Sequence, residues 1–249
     1  MQEQKDTIVF GTEPQVLRGL ARKVPGYNLV HGSQADPRAC IWVPGSLDFL
    51  AIDEFMSRDM AVVSVGVKQP IILCSIYMDG TIKPENMCNE LEKLMAYVVK
   101  GNHRLVIAAD ANAHSALWHC SDNNARGDAM EDFILSNHLD VINRGNEPTF
   151  APKGRPDQRT IIDITLAKGV AVMDWKVDKD FKASDHNLLK YTISSDCRRR
   201  FKTRHFKKAN WAYFNTLLDK HTFRVNNREI WTTDCLEEAV NGLESKIIE

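Results

Sequence analysis

The apolar residues 105–109, Leu-Val-Ile-Ala-Ala, stop abruptly at Asp110-Ala111-Asn112-Ala113-His114. Such a run reads as a buried strand, which puts the polar cluster at the strand's C-terminal end. A second cluster, Ser184-Asp185-His186, comes just before another strand-like run at 188–193. Acid, amide and imidazole groups at strand ends can move protons and hold a divalent ion beside a phosphate. An aspartate accepts a proton from water, an asparagine orients it, and a histidine donates to a phosphoryl oxygen. Taken alone, Asp-x-Asn is equally a capped turn; Ser-Asp-His weighs against that reading.

The spacing of the remaining runs predicts the fold class. Strand-like segments recur at 8–10, 27–30, 40–43, 60–67, 71–77, 105–109, 161–167 and 188–193. Segments 60–67 and 71–77, joined through Lys68-Gln69-Pro70, read as an antiparallel hairpin. Two segments are helical. Pro84 can open the first, in which Met87, Cys88, Leu91, Leu94, Met95, Val98 and Val99 share one face, and Gly101-Asn102 closes it. The second runs over 126–137 with Met130, Phe133 and Ile134 on one face. Hairpins mixed with strand-helix-strand units predict an α/β protein with mixed sheets.

At 249 residues the chain has room for one large domain and an appendage. Composition shifts near 195. Residues 1–195 read as the main domain, 196–209 as a basic linker and 210–249 as a helical extension, with Leu236, Val240, Leu243 and Ile247 at helical spacing. The net charge of −1 argues against a uniformly basic nucleic-acid binder. Its distribution argues otherwise: seven basic residues and no acid fall between 198 and 208, and the rest carries 25 basic against 33 acidic residues, or −8. An acidic body joined to a basic segment suits a phosphodiester substrate, although a solvated linker has the same composition. No apolar run is long enough for a membrane span, so no membrane partner is expected. The six cysteines form no C-x-x-C pair and read as reduced thiols of an intracellular protein, with neither a disulfide frame nor a zinc site.

With these residues assembled, the chain resembles the endonuclease/exonuclease/phosphatase superfamily, which includes deoxyribonuclease I and the apurinic/apyrimidinic endonucleases. It is most similar to the endonuclease domain of LINE-type (non-LTR) retrotransposons, of the jockey kind. The matching strings include Gly11-Thr12-Glu13-Pro14, Pro37-Arg38-Ala39-Cys40-Ile41, Ser75-Ile76-Tyr77 and Ala109-Asp110-Ala111-Asn112-Ala113-His114-Ser115. Further on come Asn124-Ala125-Arg126-Gly127, Asn143 to Phe150, Ile162-Asp163-Ile164 and Ser184-Asp185-His186. Each is weak alone; their order and spacing are specific.

The resemblance implies a two-sheet α/β sandwich flanked by helices, with the site at one end. It implies Glu13 and Asp185 as metal residues and Asp110 as general base. Asn112 and Tyr77 would position water or phosphate, and His186, backed by Asp163, would stabilise the transition state. His114, Arg126, Thr149, Lys153 and Arg155 are candidate nucleic-acid contacts, with Arg126 equally able to cap the helix it opens. The implied cofactor is Mg²⁺, with Mn²⁺ as the alternative. The implied partners are double-stranded DNA and a reverse transcriptase domain of the same polyprotein, with action in the nucleus.

There are departures from the family pattern. Thr12 and Gln15 stand where glutamine and an aromatic are usual. The family's first strand and its asparagine have no counterpart among the seven residues before Ile8. A fragment of a longer element, or its relic, is therefore expected. A superfamily phosphatase acting on a phosphoinositide or nucleotide, and a catalytically decayed binding domain, are the competing expectations.

Overall fold

The computed structural model describes residues 6–66, 70–180 and 184–194. The linker and helical extension expected at 196–249 lie outside the described residues.

Among the described residues, thirteen strands are formed. They are β1 (Val9–Thr12), β2 (Val16–Leu17), β3 (Leu20–Ala21), β4 (Tyr27–Val30), β5 (Ala39–Pro44), β6 (Phe49–Ala51), β7 (Met60–Val65), β8 (Ile71–Tyr77), β9 (Arg104–Asp110), β10 (Asp140–Val141), β11 (Asp163–Lys168), β12 (Ala171–Asp178) and β13 (Leu188–Ser194). The larger sheet has six strands in the order β10-β11-β9-β8-β7-β6. Only its β8–β9 pair is parallel. The helix α1 (Asn89–Lys100) makes that crossover. A second layer consists of the sheet β1-β5-β4 and the hairpin β12-β13.

The central strands are apolar at nearly every position because both faces are covered. Met60, Val62, Ile72, Cys74, Ile76, Leu105, Ile107 and Ala109 pack on one side with α1 and with α2 (Ala125–Asn137). The alternate residues Ala61, Val63, Ile71, Leu73 and Val106 pack on the other side against Ile41 and Val43 of β5. Phe10, Val172, Tyr191 and Ile193 pack against the same inter-sheet cluster. The period of two along each strand thus divides one apolar run between two cores. This is the α/β two-layer sandwich that the sequence predicts.

Both helices are where their periodicity puts them, and local chemistry sets their ends. Pro84 opens a 3₁₀ turn, and α1 begins at Asn89. Asn102, not Gly101, adopts the left-handed conformation after α1. Val99, expected on the apolar face, is exposed. The side chain of Asn124 caps α2 by accepting from the Gly127 N–H. Strand β12 is absent from the sequence reading. Its side chains alternate poorly, Asp174 has φ +56°, and the pairing with β13 shifts register between Met173 and Lys176.

Candidate active site

The register of the larger sheet assembles the site. Tyr77 at the end of β8 pairs with Asp110 at the end of β9, and Asp110 pairs with Asp163 at the start of β11. Partners in register on neighbouring strands face the same side, so three residues from distant parts of the sequence form one row. Glu13 comes from the other layer, directly after β1. The Ser75 hydroxyl donates to the Gly11 carbonyl at 3.2 Å and ties β1 across to β8. Gly11 is required there, because a Cβ would come within 2.5 Å of the Trp42 ring. Glu13 has φ +46° and donates its backbone N–H to the Arg38 carbonyl at 2.8 Å.

Glu13, Tyr77, Asp110, Asn112, Phe150 and His186 line one cleft of about 550 Å³. His186 Nδ1–H donates to both Asp163 carboxylate oxygens, at 2.9 and 3.1 Å. This fixes the ring's other nitrogen, Nε2, 3.8 Å from Asp110 Oδ2. The Phe150 ring meets His186 edge-on, with centroids 5.0 Å apart. Asn112 donates from Nδ2 to the Met78 carbonyl and adopts φ +45°, a conformation asparagine tolerates. The Arg38 guanidinium lies 4.7 Å from the Tyr77 ring centroid and is held by Asp59 and Asp79.

Burial pushes the Asp110 carboxyl well above the ordinary aspartate range. The neighbouring Asp163 raises it further, while His186 and the Asn112 backbone N–H oppose the rise. Burial alone would lower the His186 imidazole, but hydrogen bonding and charge from Asp163, helped by Asp110 and Glu13, lift it to about 9. Both folded values lie above the unfolded ones. Each group therefore contributes stability that is complete below its unfolded pKa and is lost as pH rises through its folded value. In metal-free protein, the melting temperature is expected to fall between about pH 6.5 and pH 9, and Asp163→Asn should flatten that slope. Calorimetry in a chelator checks this; a flat or rising melting temperature in wild-type protein would contradict it.

Several expected contacts have other work. Thr149 is fully buried, so it cannot touch nucleic acid. Its hydroxyl accepts from the backbone N–H groups of Ile162 and Asp163, and its carbonyl accepts from the Asn187 N–H. It thereby positions the residues on which His186 depends. Arg126 donates to four backbone carbonyls, those of Met78, Ile82, Ala111 and Asn112. It clips the loop after β8 to the loop after β9 and is not free for a phosphate. A cation in the first turn of a helix opposes the macrodipole; these carbonyls compensate. Arg126→Met is expected to cost about 2–3 kcal/mol of stability, with DNA affinity unchanged below the melting transition. Lysine should not restore it, because a single ammonium cannot span the four acceptors. Denaturant unfolding beside a binding titration tests this, and unchanged stability with weakened DNA binding would restore the phosphate-contact reading.

Lys153 and Arg155 are exposed on the loop that continues into the cleft-lining residues Asp157 to Thr160. His114 lines the cleft and pairs with Asp122. Asp185 is exposed, accepts from the Ala151 N–H through its carbonyl, and is not among the residues lining the cleft. Sequence reasoning missed the roles of Arg38 and Phe150. Arg38 and Phe150 stand in strings that carried the resemblance, but nothing local announced that one would cover Tyr77 and the other His186.

The donor set suits a hard divalent ion. Glu13, Asp110 and Asn112 bring oxygen atoms to the cleft, and Asp110 Oδ1 is buried without a hydrogen-bond partner among the described residues. Residues 71–190 match the endonuclease-reverse transcriptase family. Over 109 residues the chain is 36% identical to the retrovirus-related Pol polyprotein of the type-1 retrotransposable element R1 of Bradysia coprophila, covering 39% of this chain. It spans 10% of the length of that relative. The endonuclease domain of TRAS1, a telomere-specific non-LTR retrotransposon, superposes with a TM-score of 0.65 at 24% identity, over 75% of this chain and 84% of that one. An endonuclease/exonuclease/phosphatase family protein from Leptotrichia buccalis superposes with a TM-score of 0.52 at 13% identity, over 78% and 89% of the two chains. A strand-end row of Tyr77, Asp110 and Asp163, closed by His186 on a two-layer sandwich, thus accompanies these likenesses: over residues 71–190 the chain is similar to the endonuclease-reverse transcriptase family, and it shares the fold of the retrotransposon endonuclease domain and the endonuclease/exonuclease/phosphatase family protein named above.

Proposed function

We propose that this chain nicks one strand of double-stranded DNA with Mg²⁺ bound, to prime insertion of the retroelement that encodes it. Its partner in that reaction is the reverse transcriptase of the same polyprotein, and the site of action is the nucleus. The observation that carries the reading is the buried Asp110 in one cleft with Glu13, Tyr77, Asn112 and an Asp163-backed His186.

A carboxyl held above its usual range is a proton acceptor suited to neutral pH. Asp110 takes the proton of the attacking water. His186, kept cationic by Asp163, stabilises charge on a phosphoryl oxygen, and Asn112 and Tyr77 hold the phosphate. Glu13, with the unpartnered Asp110 Oδ1 beside it in the cleft, would hold the ion; when bound, the ion would neutralise charge developing on the phosphate and the leaving oxygen. Lys153 and Arg155 contact the DNA backbone beside the cleft.

The test is nicking of supercoiled plasmid by the purified chain. Mg²⁺ is expected to yield open circles whose 3′ ends a polymerase extends, and a chelator should abolish the conversion. Full activity in the chelator would remove the metal from the reading. Phosphate release from an inositol phosphate or nucleotide without nicking would favour the phosphatase, and inertness toward both would favour a decayed domain.

A further inference from the structure

The loop between β9 and α2 carries a second cluster of ligand-type side chains. His114 Nδ1 lies 2.8 Å from Asp122 Oδ2, and Cys120 Sγ lies 3.4 Å from Asp122 Oδ1. One nitrogen, one sulfur and one carboxylate oxygen of these residues all lie within 4.8 Å of one another. Cys120 is buried, whereas His114 and Asp122 line the cleft.

The loop is held in this arrangement by contacts independent of any ligand. The Asn124 side chain accepts from the His114 and Gly127 N–H groups, and the Asn123 side chain accepts from Ala116. The buried Trp118 donates its indole N–H to the Ile161 carbonyl. His119 adopts φ +68° and turns the chain back, so that Cys120 and Asp122 return toward His114.

We propose that His114, Cys120 and Asp122 form a binding site for a thiophilic divalent cation of the zinc class. Thiolate, imidazole and carboxylate together suit Zn²⁺ and poorly suit Mg²⁺. Binding replaces a proton: the Cys120 thiol, now near Asp122 and the Thr160 hydroxyl at 3.2 Å, releases its proton to solvent, and Sγ becomes a ligand. Three protein ligands leave a fourth position, which opens to the cleft for water or a phosphate oxygen. The cluster of Asp110, Asp163 and His186 has no sulfur donor, and its ring Nδ1 is already engaged by Asp163. The two clusters therefore select different ions from the same solution. This inference does not depend on the nuclease reading.

The experiment is a Co²⁺ titration of the full, reduced, metal-free chain in excess Mg²⁺. One equivalent is expected to bind with a near-ultraviolet thiolate-to-cobalt charge-transfer band, and Zn²⁺ should displace it. Cys120→Ser should abolish the band, and His114→Ala should weaken binding by at least about tenfold. Replacing Cys197 and Cys235 together by serine should leave the band intact. Absence of the band in wild-type protein, its survival in Cys120→Ser, or its loss with the Cys197 and Cys235 replacements would overturn the proposal. If Cys120→Ser does not fold, Asp122→Asn at the exposed end of the cluster serves instead; it should weaken cobalt binding by a similar factor, and unchanged affinity would count against the site.

Discussion

Asp110→Asn is expected to lower the single-turnover nicking rate by roughly two to four orders of magnitude while leaving DNA affinity nearly unchanged. The substitution keeps the shape of the side chain and removes its ability to accept a proton. Folding should not suffer. Asp110 is 2% exposed, and in the row it forms with Asp163 its charge is already disfavoured by burial and by that neighbour. A neutral amide relieves both penalties, so the melting temperature of the metal-free variant should equal or exceed that of the wild type, most clearly at alkaline pH. Loss of turnover with retained stability separates a chemical role from a packing role. A variant that turns over at a near-normal rate would remove Asp110 as the base.

His186→Ala is expected to lower the rate by a similar, roughly hundred- to ten-thousand-fold, factor. The double variant with Asp110→Asn should be little slower than either single variant, because both groups serve one transition state. Asp163→Asn tests how His186 is kept ready. The carboxylate outweighs the desolvation that would otherwise lower the ring, so the amide variant should lose the cation at lower pH. The alkaline limb of its rate profile should move toward neutrality, and its activity deficit should grow as pH rises toward 9. A rate profile identical in shape to wild type would show that Asp163 acts only by packing. A fully additive double variant would show that Asp110 and His186 do not share a step.

Much of this was legible along the chain, and the reasons are local. Residues 71–77 and 105–109 are apolar at almost every position, and that pattern fits a strand covered on both faces. The repeat Leu91, Leu94, Met95, Val98 marks α1, and Met130, Phe133 and Ile134 on one face mark α2. An abrupt change from Ala109 to Asp110-Ala111-Asn112 marks a strand end with polar equipment. These signals depend on a few neighbouring residues and the period of the backbone, which sequence carries directly.

Partner choice was decided only in three dimensions. Asp163 became the neighbour of both Asp110 and His186 through the β9–β11 register and the Phe150–His186 bridge. Segments 53 and 23 residues apart have to meet for that contact, and no local preference encodes which pairing wins. Thr149 and Arg126 look like phosphate contacts in a string of residues. Yet one is sealed beneath the β11 backbone and the other is spent on four carbonyls, because buried backbone groups near the site need partners more than solvent does. Cys120, read along the chain as an ordinary thiol with no metal-ligand spacing, meets His114 and Asp122 only because His119 turns the loop back. Sequence determined which chemistry was available and on which elements; tertiary pairing determined which groups stand close enough to perturb one another, since electrostatic and hydrogen-bond coupling depends on distance in space and not on separation along the chain.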